Sequence, residues 1–423
     1  MVGNKLLGVL CVSLLAVWAV PARSQTSAAR SRKSSAHAFI SASQQASAPV
    51  ASSGASSESP QKLETPLATA ERLETPGWWP TKHSVSRQDF VGTPECARCH
   101  ATKTATQLTT PMAHASTPAP SSSVLREREQ ISRQVGAYTY TISSDATGSI
   151  YSVRQDAQTI SEPLLWALGF NQKGQTYIYQ RNGSYYESRM SFFKSLQGLD
   201  LTPGHDPEMT ANLGAAMGRL LEPSTLRLCF GCHATAATTS AGFDPTHLMP
   251  GVTCEACHGP GAEHVALMDD EKTEKGRAAI FNPSRLSPVA MVDFCGACHR
   301  TLNDVLEMAT SGVETVRFQP YRLESSRCWG DGDARLTCIA CHDPHQQLVR
   351  DAGAYDAKCL ACHVAELTKK TSNEHPGERC PVATKNCITC HMPRVDVPNM
   401  HAPFTDHRIR IVRRGAPNPR RQE

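Results

Sequence analysis

Seven times along this chain two cysteines stand three residues apart with a histidine directly after the second: Cys96, Cys99 and His100; Cys229, Cys232 and His233; Cys254, Cys257 and His258; Cys295, Cys298 and His299; Cys338, Cys341 and His342; Cys359, Cys362 and His363; Cys387, Cys390 and His391. On one helical turn, positions i and i+3 share a face and i+4 lies beside them. Two thiols so placed can bond the two vinyl groups on a porphyrin edge while the imidazole reaches the iron. With 17 cysteines and 17 histidines in 423 residues, one accidental copy is expected only about 0.03 times. The pattern therefore specifies seven covalently bound haem c groups, with the cysteines as attachment points and the histidines as proximal ligands. Zinc would account for the cysteine pairs, but it needs four tetrahedral ligands and no histidine fixed after each pair. A thiol redox pair would occur once, at a helix start.

What stands opposite each proximal histidine separates a carrier from a catalyst. A second strong ligand makes a low-spin electron carrier, whereas an open position can take a substrate. Ten histidines lie outside the motifs, and setting aside His37 and His83 leaves eight for seven places. His114, His264, His345, His401 and His407 are the first distal candidates. His114, His401 and His407 trail a motif by 14, 10 and 16 residues. Helix-breaking residues separate His264 and His345 from the motifs just before them. His205, His247 and His375 complete the set, and Met112 and Met392 are further axial donors. No Cys-x-x-Cys-Lys variant occurs, so a lysine-ligated catalytic haem has no counterpart, and no catalytic residue is assigned.

The elements that must hold these groups are unevenly spread. Residues 1–24 read as a signal peptide, with Lys5, an apolar run from Leu6 to Val20, and Ala22 and Ser24 at the small-residue positions before a cut. That run is too short for a comfortable span, so no transmembrane segment is expected in the mature chain. Residues 25–75 are a Ser/Ala-rich linker without the apolar residues to form a core. Residues 76–123 form a first haem segment and 124–205 a haem-free β region. Six haems follow in 206–412, and 413–423 is a basic tail. In the haem-free region YTYTIS alternates over 138–143, and Asn182-Gly183 between Tyr-rich runs signals a two-residue hairpin. The Tyr stripe reads as a half-buried face. The expected fold is mainly α with irregular loops, a multihaem cytochrome c architecture organised around stacked haems, with a small antiparallel β region inserted between haem 1 and haem 2. Aromatics make up only 6% of the chain, so haem faces should replace much of the core and the haem-free chain should not fold. Cys328 and Cys380 lie outside the motifs, as a disulfide or as two free thiols.

The formal charge of +4 loses Lys5 and Arg23 with the signal, leaving +2, too near balance for a nucleic-acid surface. The phrases GQTYIYQRNGSYYES, LDLTPGHDP, GVTCEACHGPGAEH, NPSRL, RFQPYRLESSRCW, CIACHDPH, CPVATKNCITCHMPR and FTDHRIRI resemble the multihaem c-type cytochromes of the cytochrome c554-like group, over most of residues 90–412. Many proteins of that group carry tetratricopeptide repeats, which do not follow here. The resemblance implies an exported protein, in the periplasm or at the outer surface, passing electrons between redox protein partners through mostly bis-histidine haems. The alternative is a reductase or oxidase of small nitrogen or sulfur compounds at one five-coordinate haem.

Overall fold

The computed structural model describes residues 86–170, 173–208, 210–239, 242–330, 332–363 and 380–412. The signal peptide, the linker, His37, His83, His375 and the basic tail lie outside the described residues.

Alternating sequence builds the first half of the described chain. Ten strands form one sheet: β1 (Ser116–Pro118), β2 (Gln130–Val135), β3 (Tyr138–Ser144), β4 (Ser149–Gln155), β5 (Gln158–Leu168), β6 (Gly174–Arg181), β7 (Ser184–Ser188), β8 (Met190–Phe193), β9 (Gly198–Leu201) and β10 (Gly218–Leu220). Their order is β10-β7-β6-β5-β4-β3-β2, with β1 joining β5 and β8 bridging β6 to β9. The sheet curls into a half-barrel. On β3, Tyr138, Tyr140 and Ile142 point to the core while Thr139 and Thr141 stay partly solvated, as a period of two requires. Asn182 and Gly183 both take positive φ, 50° and 78°, which is the two-residue turn that matches strand twist. That turn sets Arg181 opposite Ser184. The core is aromatic: Tyr140, Tyr151, Tyr177, Tyr179 and Phe192 are fully buried, packed with Leu213, Ala216 and Met217 of the short helix Leu213–Met217.

This sheet overturns the expectation of a mainly α chain with a small β insert. It is a major part of the architecture, it begins before residue 124 and ends after 205, and Tyr177 and Tyr179 are core while Tyr185 and Tyr186 stay half-buried. The added strands were hidden for a physical reason. β1 and β10 are three residues long, too short to show a period, and they exist only through remote partners, Ser116 on Leu168 and Gly218 on Ser188.

Short helices carry the cysteine motifs. α1 (Thr93–Gln107), α2 (Pro223–His233), α3 (Cys254–His258), α5 (Pro288–His299), α7 (Cys338–Cys341), α8 (Asp356–Leu360) and α9 (Cys387–His391) each hold one in whole or in part, and α4 (Ala262–Asp269) and α6 (Gln319–Glu324) lie between them. Proline in the first turn starts α1, α2 and α5, where its missing N–H costs nothing. Ser287 caps α5 by accepting from the Ala290 N–H at 3.3 Å. Side-chain cores in the later half are small: Val292 with Leu323 and Trp329, and Val316 with Val395 and Val397. No disulfide joins Cys328 and Cys380 in this structure. Among the described residues no helix is long and apolar enough to cross a membrane.

Candidate haem sites

Each motif sits at a helix turn that stops at or near its histidine. α2, α3, α5 and α9 end on His233, His258, His299 and His391. In α1 the helix kinks at His100, and His342 lies one residue past α7 in extended backbone. Gly259 after α3 and Arg300 after α5 take φ of 77° and 72°, turning the chain away so the imidazole is left at the helix end. Cys359 lies in α8, with Cys362 and His363 just beyond it.

Three proximal histidines face another histidine across a gap. His100 and His264 have ring centroids 6.5 Å apart with planes 19° from parallel. His258 and His345 stand 6.0 Å apart at 16°, and His342 and His407 6.3 Å apart at 48°. Two imidazoles on opposite faces of one metal ion stand about 6 Å apart, from about 2 Å per metal–nitrogen bond plus about 1 Å from each nitrogen to its ring centre. All three gaps fit one iron. Each pair joins distant parts of the chain: His264 follows the motif of His258 yet faces His100, and His345 follows His342 yet faces His258.

Hydrogen bonds select the nitrogen that is left for a metal. The Nδ1 atoms of His233, His258, His264, His391 and His407 donate to the carbonyls of Ala115, Phe281, Gly276, Arg410 and Thr405 at 2.8–3.0 Å. A carbonyl can only accept, so the proton is on Nδ1 and the Nε2 lone pair is free. The Nδ1 of His345 lies 3.1 Å from Asp343, a carboxylate–histidine pair of the kind that steadies metal ligands. Burial pushes the His233, His258, His299 and His342 imidazoles below their ordinary range, and His407 to about 4. All five are held neutral, the form that ligates.

The remaining histidines differ. The Nε2 of His205 lies 3.0 Å from Glu187, and that of His401 lies 3.1 Å from Asp200, so in both the ligating nitrogen is already engaged. His401 also packs edge-on against Phe193. His247 is exposed with Nδ1 2.9 Å from Asp244, and exposed His114 stacks on Phe170. His299 hydrogen-bonds Gln319.

The attachment cysteines also meet between motifs. Cys96 donates to Cys254, Cys295 to Cys338, and Cys387 to Cys359, while Cys232 hydrogen-bonds Cys298. The field of Cys359 reaches Cys341, and that of Cys257 reaches Cys295. The Cys254 thiol is pulled down to about 7, chiefly by the hydrogen bond from Cys96. Among the described residues no group of three or more His, Cys, Asp or Glu side chains forms a site for a lone metal ion. The paired thiols are therefore not preformed zinc clasps. Haem fits better, since the buried Nε of Arg317 lacks a hydrogen-bond partner among the described residues, and a haem propionate would supply one.

Three acidic residues at these sites carried no signal in the sequence. Glu255, an inner residue of the third motif, is buried and accepts from Val91, Gly92 and Gly261. Asp356 accepts from the N–H groups of Asn386 and Cys387 at 2.7 and 2.8 Å, tying α8 to the start of α9. Asp406 is fully buried in a two-pronged pair with Arg322, both bonds 2.8 Å, beside His407. The resemblance phrases held Arg322 and Asp406, but their partnership depends on the fold.

Helix-borne Cys-x-x-Cys-His motifs with opposed imidazoles define a c-type cytochrome carrying several haems. Residues 194–259 match the family of cytochrome c554 and c-prime. A solved structure, "Crystal Structure of Outer Cell Wall Cytochrome OcwA", is similar at TM-score 0.45 and 14% identity, covering 77% of this chain and 80% of that one. No curated protein matches.

Proposed function

We propose that this cytochrome holds seven haems and carries electrons between protein partners as an exported protein of the periplasm or outer surface. The observation that carries the reading is the set of three opposed imidazole pairs, His100 with His264, His258 with His345 and His342 with His407. A haem held by two histidines has no vacant position, so it exchanges electrons without binding a substrate. The chain's own residues supply the rest: neutral imidazoles oriented by backbone carbonyls, thioether anchors, and Arg317 for a propionate.

The meetings between attachment cysteines support an order of transfer. Hydrogen bonds link motif 1 to 3, 4 to 5, 6 to 7 and 2 to 4, and only charge interactions reach from 3 to 4 and from 5 to 6. The haems that these cysteines would anchor would follow the same order, with motifs 1 and 7 as the ends of the row of sites and motif 2 as a side branch. Seven ferric haems, each about −1 with two propionates, take the charge of +2 to about −5, which favours a basic docking partner.

Haem assay and intact mass of the purified holoprotein should give seven haems per chain, and paramagnetic resonance should show low-spin ferric signals at the paired sites. Fewer haems, or a dominant high-spin signal that shifts with nitrite, would overturn the reading.

A further inference from the structure

Glu255 lies inside the third motif, between Cys254 and Ala256, and is 2% exposed. Its Oε1 accepts from the Val91 N–H at 2.9 Å and the Gly261 N–H at 2.8 Å, and its Oε2 from the Gly92 N–H at 2.8 Å. Gly92 is the cap residue of α1, which carries His100, and Gly261 is the cap residue of α4, which carries His264. One side chain of the third site thus holds the starts of both helices that supply the first site's axial pair. The fit is close: a Cβ on Gly261 would stand 3.1 Å from Val91 Cγ2 and 3.3 Å from Glu255 Oε1. The charge of Glu255 reaches both Cys96 and Cys254, the leading cysteines of the two motifs.

No cation pairs with Glu255 among the described residues. Three N–H dipoles stabilise the carboxylate but leave its net charge in place, so that charge acts on whatever else in the neighbourhood changes charge. Reduction of either site adds one electron and forms or breaks no bond. A fixed anion nearby opposes that addition and favours the ferric state.

Resting on the pairing of His100 with His264 proposed above, we propose that Glu255 is the positioning residue that couples the first and third haem sites and the charge that holds both at low potential. The test uses the holoprotein and three variants. In Glu255→Gln the anion is removed with little change of shape. Redox titration should then show two sites shifted upward, each with about a tenfold change in ferric-to-ferrous ratio at fixed potential, equal to about 59 mV for one electron. Glu255→Asp keeps the charge but is one methylene too short to span the three N–H groups. The third site's potential should stay close to wild type while the first site gains a high-spin signal that binds cyanide.

His264→Ala separates the two readings by creating one high-spin site if the pairing is correct. If it does so while the Glu255→Gln titration superimposes on wild type, the role of Glu255 is overturned and the pairing stands. If His264→Ala leaves every site low-spin, the pairing falls and this proposal with it. Should Glu255→Gln fail to load haem, Glu255→Asp decides: no new cyanide-binding signal would overturn the proposal.

Discussion

The two halves of this molecule solve the problem of an interior differently. In the sheet, Tyr140, Tyr151, Tyr177, Tyr179 and Phe192 bury themselves completely against one another and against Leu213 and Met217. From residue 250 onward the side-chain clusters shrink to triplets such as Val292, Leu323 and Trp329, and the helices are mostly four to eight residues long. Helices this short are marginal on their own, so their stability must come from tertiary contacts. Side chains supply few of those there. Against the expectation that the haem-free chain as a whole should not fold, the comparison gives the sheet a side-chain core of its own and leaves the helical half dependent on what its cysteines hold.

Removing haem is the strongest way to break that comparison. Hydrogen exchange on the haem-free chain should find the amides of β3 to β6 still protected and those of α3 to α9 exchanging freely. Equal loss in both halves would show that the sheet, too, needs haem. Phe192→Ala attacks the other side: emptying a fully buried aromatic site costs about 3–5 kcal/mol. Denaturant melts of the holoprotein should show that loss in the sheet, while the haem absorption spectrum stays unchanged.

The same contrast explains what could be read from the residues. All seven motifs were legible because attachment needs only local spacing. So was the Asn182-Gly183 turn, because its backbone demand is local. The facing imidazole pairs were not, since His264 lies six residues past His258 yet its ring faces His100, a result of the chain reversing after Gly259. Nor was the size of the sheet, because β1 and β10 are defined only by distant neighbours. Glu255 was invisible for another reason. An acidic residue inside a Cys-x-x-Cys-His motif is ordinary until three N–H groups from two other segments converge on it.

Turn chemistry sharpens the account of the sheet at a smaller scale. Gly183 has φ of 78° and nothing within 4 Å of an added Cβ, so Gly183→Ala tests conformation without a clash. A left-handed alanine costs about 1–2 kcal/mol, and thermal melts should register that loss with the haem spectra unmoved. A larger loss would mean that the hairpin organises more of the sheet than its own two strands.

The smallest expected effect lies at the β3–β4 turn. Oδ1 of Asp145 accepts from the hydroxyl and N–H of Thr147 at 2.6 and 2.7 Å and from the Gly148 N–H at 3.2 Å. The Thr147 bonds come first in holding its carboxyl below the usual range. A carboxylate with a lowered folded-state pKa contributes stability that is complete above its unfolded value and disappears as pH falls through the folded value. The turn is open to solvent, so the contribution is small, and Asp145→Ala should lower the melting temperature slightly at neutral pH. As pH falls below the ordinary carboxylate range the two melting curves should converge, because the wild-type side chain then loses the charge that its donors favour. A difference that persisted in acid would assign the effect to turn geometry instead. The same titration on Asp356, whose bonds to Asn386 and Cys387 join two haem motifs, should move haem spectra along with the melt. A carboxylate in the sheet should move the melt alone.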